Sequence, residues 1–282
     1  MKVMLEETHS THKNFSWTQI RPNHVGKVLI FPFILWVMYI CNYLDVVAFV
    51  HSQIFYGIAV VKRYSKDNDF IQISSFVLIC ILGSMLLKHQ ISGFNNYAVI
   101  ETNVSNDGVP YSLWFNKDSI ILGLSLIIVF YKPKSFSAKD FVRFVYATII
   151  GTLLLISMAL LLDLVRVDVK YVSFFGIWIV FNIAYVLVEE ACFRLFLLES
   201  IIRLYKGRYN IIIASVVVSI IFALKHYFYG NVSYVFLTFI ASLVYSYVYI
   251  YCGRRFEISS LCHLSVNIVH MLFFTYPFLS IS

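Results

Sequence analysis

The chain has 282 residues, of which 60% are hydrophobic and only 13% are charged, with a mean hydropathy of +0.79. Soluble domains carry roughly a quarter charged residues, so this composition excludes an ordinary soluble domain and predicts an all-α, polytopic bundle of transmembrane helices. The net charge of +7 does not indicate nucleic-acid binding, because the basic residues form neither a face nor an arm. They stand in short clusters between apolar runs, which is typical of cytoplasmic loops near anionic lipid headgroups.

Residues 1–27 are polar and lack the apolar core of a signal peptide, so we expect a retained terminal segment. About eight apolar runs follow, most of them near the ~20 residues that a helix needs to cross a bilayer. They cover 28–50, 70–87, 119–131, 141–162, 171–202, 211–228, 232–252 and 258–281. We expect the short third run to borrow from 111–115, and residues 54–61 either to extend the first helix or to form an interfacial piece.

The loops between these runs alternate between basic and non-basic. The four basic clusters are Lys62, Arg63 and Lys66; Lys132, Lys134, Lys139 and Arg143; Arg203, Lys206 and Arg208; and Arg254 with Arg255. The positive-inside rule places all four on the cytoplasmic side of the membrane. We divide the membrane-embedded chain into N-terminal helices over 28–170 and a catalytic core over 171–282. The five cysteines show no metal-binding spacing, and we interpret them as packing residues.

Three polar groups interrupt the apolar runs, and the first is the stretch VEEACFRLF. Ionisable groups inside a bilayer are costly, so they should face a cavity or one another. On a helix, Glu190 and Arg194 are at i,i+4 in the order that favours an ion pair. Glu189 lies about 100° around the helix from Glu190, so it is poorly placed for Arg194 and is left for chemistry.

The second and third groups are FALKH and HLSVN, each on its own later helix. Phe222 and His226 are at i,i+4, as are His263 and Asn267, and His270 continues the latter face. Lys225 is interpreted as a residue that marks the approach to the membrane interface. The null hypothesis for each group alone is helix packing through interhelical hydrogen bonds, but three such groups in one short region favour a shared site.

The residue types in these groups suggest activation of water. A carboxylate and an imidazole can take a proton from water and pass it to a leaving group, while a second histidine and an amide stabilise an oxyanion. Alternatively, Glu189, His226 and His263 are three ligands that suit a catalytic zinc ion with an open fourth position. The residues alone leave both alternatives open.

The order EExxxR, FxxxH and HxxxN resembles the CPBP family of intramembrane proteases, which includes CAAX proteases and bacteriocin-processing enzymes and is also called the Abi family. The resemblance covers roughly residues 175–270. It implies that Glu189 and His226 activate water, that His263 and Asn267 stabilise the oxyanion, and that Glu190, Arg194 and Phe222 support the site. The family has been regarded both as metalloproteases and as metal-free glutamate proteases. We favour the metal-free mechanism and so expect no cofactor, with zinc as the alternative.

Two features depart from the family pattern. Ser242 and Ser246 stand on the helix where relatives often have glycine, and the proline that often precedes the last motif is absent. The predicted depths of the three side chains in the membrane also differ. Counting about 1.5 Å per residue from the basic loops puts Glu189, His226 and His263 roughly 20, 27 and 12 Å from the cytoplasmic side. Side chains more than about 10 Å apart would exclude a shared site.

The resemblance implies an endopeptidase that hydrolyses membrane-associated or lipidated substrates, with a prenylated protein or a leader peptide as partner. The alternative is a non-enzymatic scaffold, an immunity protein or a proton-coupled transporter, since buried Glu and His also form proton relays. Duplicated halves, which many transporters show, are not visible in the sequence. The abundance of Phe, Tyr, Ile, Lys and Asn indicates an AT-rich genome, so we expect a multi-pass protein of a bacterial cytoplasmic membrane.

Overall fold

The computed structural model describes residues 22–65, 68–227 and 231–280, and helices dominate it. The first half contains α1 (Pro22–Ile40), α2 (Val46–Tyr64), α3 (Asp69–Leu87), strands β1 (Tyr97–Thr102) and β2 (Tyr111–Phe115), α4 (Lys117–Phe130) and α5 (Ala138–Leu161). The second half contains α6 (Phe175–Glu190), a π-helical segment (Ala191–Leu198), α7 (Glu199–Leu204), α8 (Asn210–Lys225), α9 (Val232–Tyr251) and α10 (Phe256–Phe273). Most of the polar segment 1–27 lies outside the described residues.

The predicted helical membrane bundle is confirmed. Within the described ranges, six helical stretches are long and apolar enough to cross a membrane: Val46–Tyr64, Asp69–Leu87, Ala138–Leu161, Phe175–Leu204, Val232–Tyr251 and Phe256–Phe273. Val28–Ile40 and Asn210–Lys225 are shorter apolar helices. Large apolar side chains point outward from these helices, as the 64% exposure of Ile150 illustrates. A bilayer solvates such surface, whereas water would not.

Three of the predicted boundaries are wrong, and one of them is the end of the last run, 258–281, which is helical only to Phe273. The run 28–50 contains two helices, because the chain turns at 41–45, where Asn42 takes φ 59° and Asp45 is the N-cap of α2. Asparagine tolerates the left-handed conformation and aspartate favours the N-cap, so CNYLD breaks the apolar run. Residues 54–61 are therefore part of α2. Residues 111–115 do not extend a span, because they form β2, which pairs antiparallel with β1.

The loops separate by charge between the two ends of the bundle. Residues from all four basic clusters line one cavity at one end, which agrees with their predicted location on a single membrane face. At the other end, the segment that follows α10 pairs with earlier loops through the bridges Gly108↔Leu279 and Val167↔Phe274. This C-terminal segment, 274–280, closes that end of the bundle.

Helix α4 fixes the position of the end of α6 through one glycine. A Cβ on Gly123 would lie 2.7 Å from Val188 Cγ2 and 2.9 Å from Val188 Cα, so only glycine permits this approach. Val188 immediately precedes Glu189, which means that the N-terminal half supports the polar helix directly.

Three cysteines, Cys192, Cys252 and Cys262, are buried, as predicted for packing residues. Cys41 is exposed after α1, so it is not a packing residue.

Candidate active site

Glu190 is buried against Arg194, as the i,i+4 spacing predicts. Its Oε1 lies 3.2 Å from Arg194 Nη1, and both side chains are 0% exposed. Arg194 Nη2 also donates to the hydroxyl of Ser242 at 2.9 Å and to its carbonyl oxygen at 3.0 Å. Ser242 is thus a hydrogen-bond partner of the buried arginine, and it ties α9 to the π-helical segment.

Aromatic rings enclose the Arg194 guanidinium. Its Cζ lies 5.2 Å from the ring centroid of Phe222 and 5.4 Å from that of Tyr245. Cations are attracted to the faces of aromatic rings, and the attraction increases when water is excluded. Phe222 of FxxxH therefore contacts the ion pair itself, while the histidine of that motif lies one turn further along.

Glu189 faces the opposite way, into a cavity of about 280 Å³. Its Oε1 accepts from Lys225 Nζ at 2.5 Å. Lys225 is therefore an ion-pair partner of Glu189, and the interpretation of this lysine as an interface marker is wrong. The sequence gives no signal for the contact, because it depends on how α8 is rotated against α6.

His226 follows α8 as its C-terminal cap and extends its ring toward Glu189. Its Nδ1 donates to the carbonyl oxygen of Phe222 at 2.8 Å. Since a carbonyl oxygen can only accept, this bond fixes the proton on Nδ1. The remaining nitrogen, Nε2, lies 3.9 Å from Glu189 Oε1.

His263 approaches the same carboxylate from α10. Its Nδ1 donates to Glu190 Oε1 at 3.0 Å, and its ring stacks on Tyr245 with centroids 4.2 Å apart. Its Nε2 lies 3.8 Å from Glu189 Oε2. The two histidines therefore converge on Glu189 at distances far below the 10 Å that would exclude a shared site.

The depth count from the basic loops does not keep the three side chains apart. Arg255, from which the depth of His263 is counted, is only 8% exposed and donates to the carbonyl oxygen of Lys134 at 3.1 Å. A buried arginine does not mark the membrane surface, so the count for His263 starts from an unsuitable residue.

Asn267 lines the cavity one turn beyond His263. Its Nδ2 donates to Asn182 Oδ1 at 3.2 Å. Asn182 also lines the cavity, and the sequence analysis missed it, although its position seven residues before Glu189 places both on one helix face. His270 lies at the far side of the cavity, where its Nε2 is 3.1 Å from the carbonyl oxygen of Thr275 in the C-terminal segment.

Metal ligation by Glu189, His226 and His263 stays a prediction. Over the described ranges, no group of three or more His, Cys, Asp and Glu side chains is positioned to hold a metal ion. The ammonium group of Lys225 also occupies one oxygen of Glu189.

Comparison with known proteins gives one family. Residues 171–269 match the family model described as type II CAAX prenyl endopeptidase Rce1-like. The match confirms the resemblance carried by the three motifs, all of which lie within the matched residues, and it supports a membrane-embedded protease. No curated protein and no solved structure matches the chain significantly.

Proposed function

We propose that this protein is an intramembrane endopeptidase in which Glu189 activates the water that cleaves a peptide bond. One observation carries the proposal: a carboxylate that faces a membrane cavity has the Nε2 atoms of two histidines 3.8 and 3.9 Å from its oxygens. These separations are too long for direct hydrogen bonds and suit a single water molecule between the groups. A general base needs this reach.

The hydrogen bonds of both imidazoles prepare them for proton transfer. Each Nδ1 already donates, to the Phe222 carbonyl oxygen in His226 and to the Glu190 carboxylate in His263. In the neutral ring, the Nε2 lone pair therefore points toward Glu189. Glu190 thus has a second task besides pairing with Arg194, which is to hold His263 in one orientation.

The reaction follows from these positions. Glu189 takes a proton from water, and the resulting hydroxide attacks the carbonyl carbon of the scissile bond. Glu189 hands this proton to Nε2 of His226, which gives it to the leaving nitrogen as the tetrahedral intermediate collapses with cleavage of the C–N bond. Glu189 ends as a carboxylate, so the step consumes one water molecule and leaves the enzyme unchanged.

Asn267 and His263 are placed to stabilise the oxyanion. The Asn267 amide uses one N–H on Asn182, which leaves the second N–H as a donor to the substrate oxygen. His263 donates from Nε2 only as an imidazolium, because its Nδ1 already donates to Glu190. Donors that are held in place in this way stabilise developing charge most effectively.

Lys225 acts as a positioning residue for the base. Its ammonium group holds Glu189 Oε1 at 2.5 Å and leaves Oε2 directed toward His263. A charge-assisted hydrogen bond of this kind fixes geometry more strongly than a neutral one.

The cavity suits a substrate with an apolar part. Leu155, Leu237 and Ala241 line one side, opposite the polar groups. The name of the matching family refers to prenylated CAAX peptides, and we propose a lipidated or membrane-associated peptide as substrate, with a leader peptide as the second class. On the composition described above, we assign the protein to a bacterial cytoplasmic membrane.

The test uses purified full-length protein in detergent with a quenched library of membrane peptides that includes a prenylated CAAX peptide. We expect Glu189→Gln to lower kcat/KM by about 10²–10⁴-fold, since general-base catalysis contributes that much, without loss of thermal stability. The matched control is Glu101→Gln, which makes the same change on the exposed strand β1. Each protein is assayed with and without a chelator.

Three outcomes would contradict parts of the proposal. Loss of cleavage in the chelator, with recovery on addition of zinc, would make Glu189, His226 and His263 metal ligands. Equal loss in Glu101→Gln would show that the effect is not specific to the site. A folded wild-type protein that cleaves no peptide in the library would favour a scaffold or transporter over an enzyme.

A further inference from the structure

A second cavity, here called the basic cavity, lies at the end of the bundle where the basic loops meet. Its volume is about 500 Å³, within the roughly 300–1,000 Å³ range of small-ligand sites. It lies between the end of α2, the loop after α4, α7 and the loop after α9. The CAAX-protease motifs do not contribute to it, so the site already described does not explain it.

The basic cavity carries a large excess of positive charge. Its cationic lining residues are Lys62, Arg63, Lys132, Lys134, Arg203, Lys206 and Arg254. Asp69 and Glu199 are its lining acids, so seven cations against two carboxylates leave a net charge of +5. Such a concentration of one sign in a concave site attracts anions strongly.

Glu199, one of the two acids that line the basic cavity, already has three partners. Glu199 Oε2 lies 3.7 Å from Arg203 and 3.6 Å from Arg254, and Glu199 Oε1 accepts from the hydroxyl of Tyr249 at 3.2 Å. Throughout the described part of the chain, no ion pair is formed by Arg63 or Lys206 at this cavity. Among the described residues, these two side chains therefore have no carboxylate partner.

The positive-inside rule alone does not account for the arrangement. That rule concerns how many basic residues a loop contains, and it is satisfied when they spread into solvent. Here side chains from four separate loops converge on one volume, where they repel one another unless an anion neutralises them. The hydroxyl group of Ser200 adds a hydrogen-bond donor suited to phosphate oxygens.

We infer that the basic cavity binds a phosphate-bearing anion. Two sources share this chemistry: the headgroup of an anionic phospholipid, because the cavity lies at a predicted membrane surface, and a soluble phosphate compound. Arg63 and Lys206 are the residues on which binding depends most. The inference does not rest on the proposed protease activity.

The first arm titrates the detergent-solubilised protein with phosphatidylglycerol and measures the dissociation constant of the first bound lipid by native mass spectrometry. Each basic residue near an anionic headgroup contributes about fivefold in affinity, so Arg63→Gln/Lys206→Gln should weaken binding about thirtyfold. The matched control, Lys139→Gln/Arg208→Gln, removes the same charge at the same end from exposed residues that do not line the cavity. It should change the dissociation constant less than threefold.

The second arm adds inorganic pyrophosphate to the protein in phosphatidylcholine nanodiscs and follows the thermal midpoint. Loss of lipid binding in the cavity variant alone, with no response to pyrophosphate, identifies a lipid headgroup. A pyrophosphate response that only the cavity variant loses identifies a soluble ligand. Equal weakening in both variants, or no weakening of either probe, overturns the inference. These readouts are binding and stability, so failure of the protease assay would leave them intact.

Discussion

Two neighbouring carboxylates of this protein have opposite surroundings. Glu190 is fully buried, paired with Arg194 and bonded to His263. Glu189 is 16% exposed and reaches Lys225 across the edge of a cavity. A helix rotates about 100° per residue, so Glu190 faces the packed interior of the bundle while the neighbouring Glu189 faces the cavity.

The difference shows how a membrane protein can use one motif for two purposes. A charge that is removed from water and lipid must have a partner in a fixed place, so the Glu190–Arg194 pair holds helices together. A charge at a cavity keeps a free face that can meet a substrate. We therefore expect changes to the Glu190 side to affect mainly folding, and changes to the Glu189 side to affect mainly rate.

The largest effect on stability should follow removal of the buried arginine. Arg194→Met leaves Glu190 as an uncompensated charge in the protein interior, which should lower the free energy of unfolding by about 3–5 kcal/mol. The measurement is denaturation in mixed detergent micelles, followed by tryptophan fluorescence.

The double variant Glu190→Gln/Arg194→Met is the matched control for the buried pair. It removes both charges together, and exchanging a whole buried ion pair for uncharged side chains of similar size is often nearly neutral. Most of the lost stability should therefore return. A double variant as unstable as Arg194→Met would mean that packing of the arginine stem, rather than its charge, stabilises the bundle.

On the cavity side, Lys225→Met should affect rate instead. Loss of the ammonium group releases Glu189 from its fixed orientation, and kcat should fall about 10–30-fold, which corresponds to a charge-assisted hydrogen bond of about 1.5–2 kcal/mol. KM and the free energy of unfolding should change little, because Lys225 is not among the residues that line the cavity.

Lys225→Arg tests whether charge is what matters at this position. It keeps the cation and should recover part of kcat, since the guanidinium can still pair with Glu189. An increase of kcat in Lys225→Met would contradict the positioning role and would show that the ion pair restrains the base.

The sequence predicted the part of the fold that depends on hydropathy along the chain. Runs of apolar residues placed most helices, and charge alternation placed the basic loops at one end. The break at Asn42 and strand β2 were missed, because both lie within apolar or aromatic stretches whose local turn chemistry hydropathy does not register.

The site was predictable where it depended on spacing within one helix. The i,i+4 rule placed Glu190 beside Arg194 and turned Glu189 away from it. The contacts of Lys225 and Ser242 were not predictable, because they depend on how α8 and α9 are rotated about their axes. Helices that are apolar on every side give no periodic signal from which that rotation can be read.

A third ion pair, outside the membrane-spanning helices, extends the comparison to a more exposed setting. Asp168 Oδ2 accepts from Lys170 Nζ at 2.8 Å and from Ser105 Oγ at 2.6 Å. The same lysine donates to the carbonyl oxygen of Phe274, so the pair anchors the C-terminal segment that closes this end of the bundle. The hydrogen bonds from Lys170 and then Ser105 lower the pKa of Asp168 below its ordinary value of 3.8.

Because Asp168 is 33% exposed, its pair should contribute only about 1 kcal/mol, the smallest effect predicted here. A carboxyl whose folded pKa is lowered stabilises the fold fully above its ordinary pKa, and that contribution is lost as the pH falls through the folded pKa. Asp168→Asn should thus lower the thermal midpoint at neutral pH, and the difference from wild type should vanish well below pH 3.8. Asp163→Asn, at an exposed position of the same loop with φ 50°, where asparagine is tolerated, should match wild type throughout. If the thermal midpoint of Asp168→Asn stays below that of wild type in acid, the Asp168 side chain stabilises the fold through its shape, since its charge is lost at that pH.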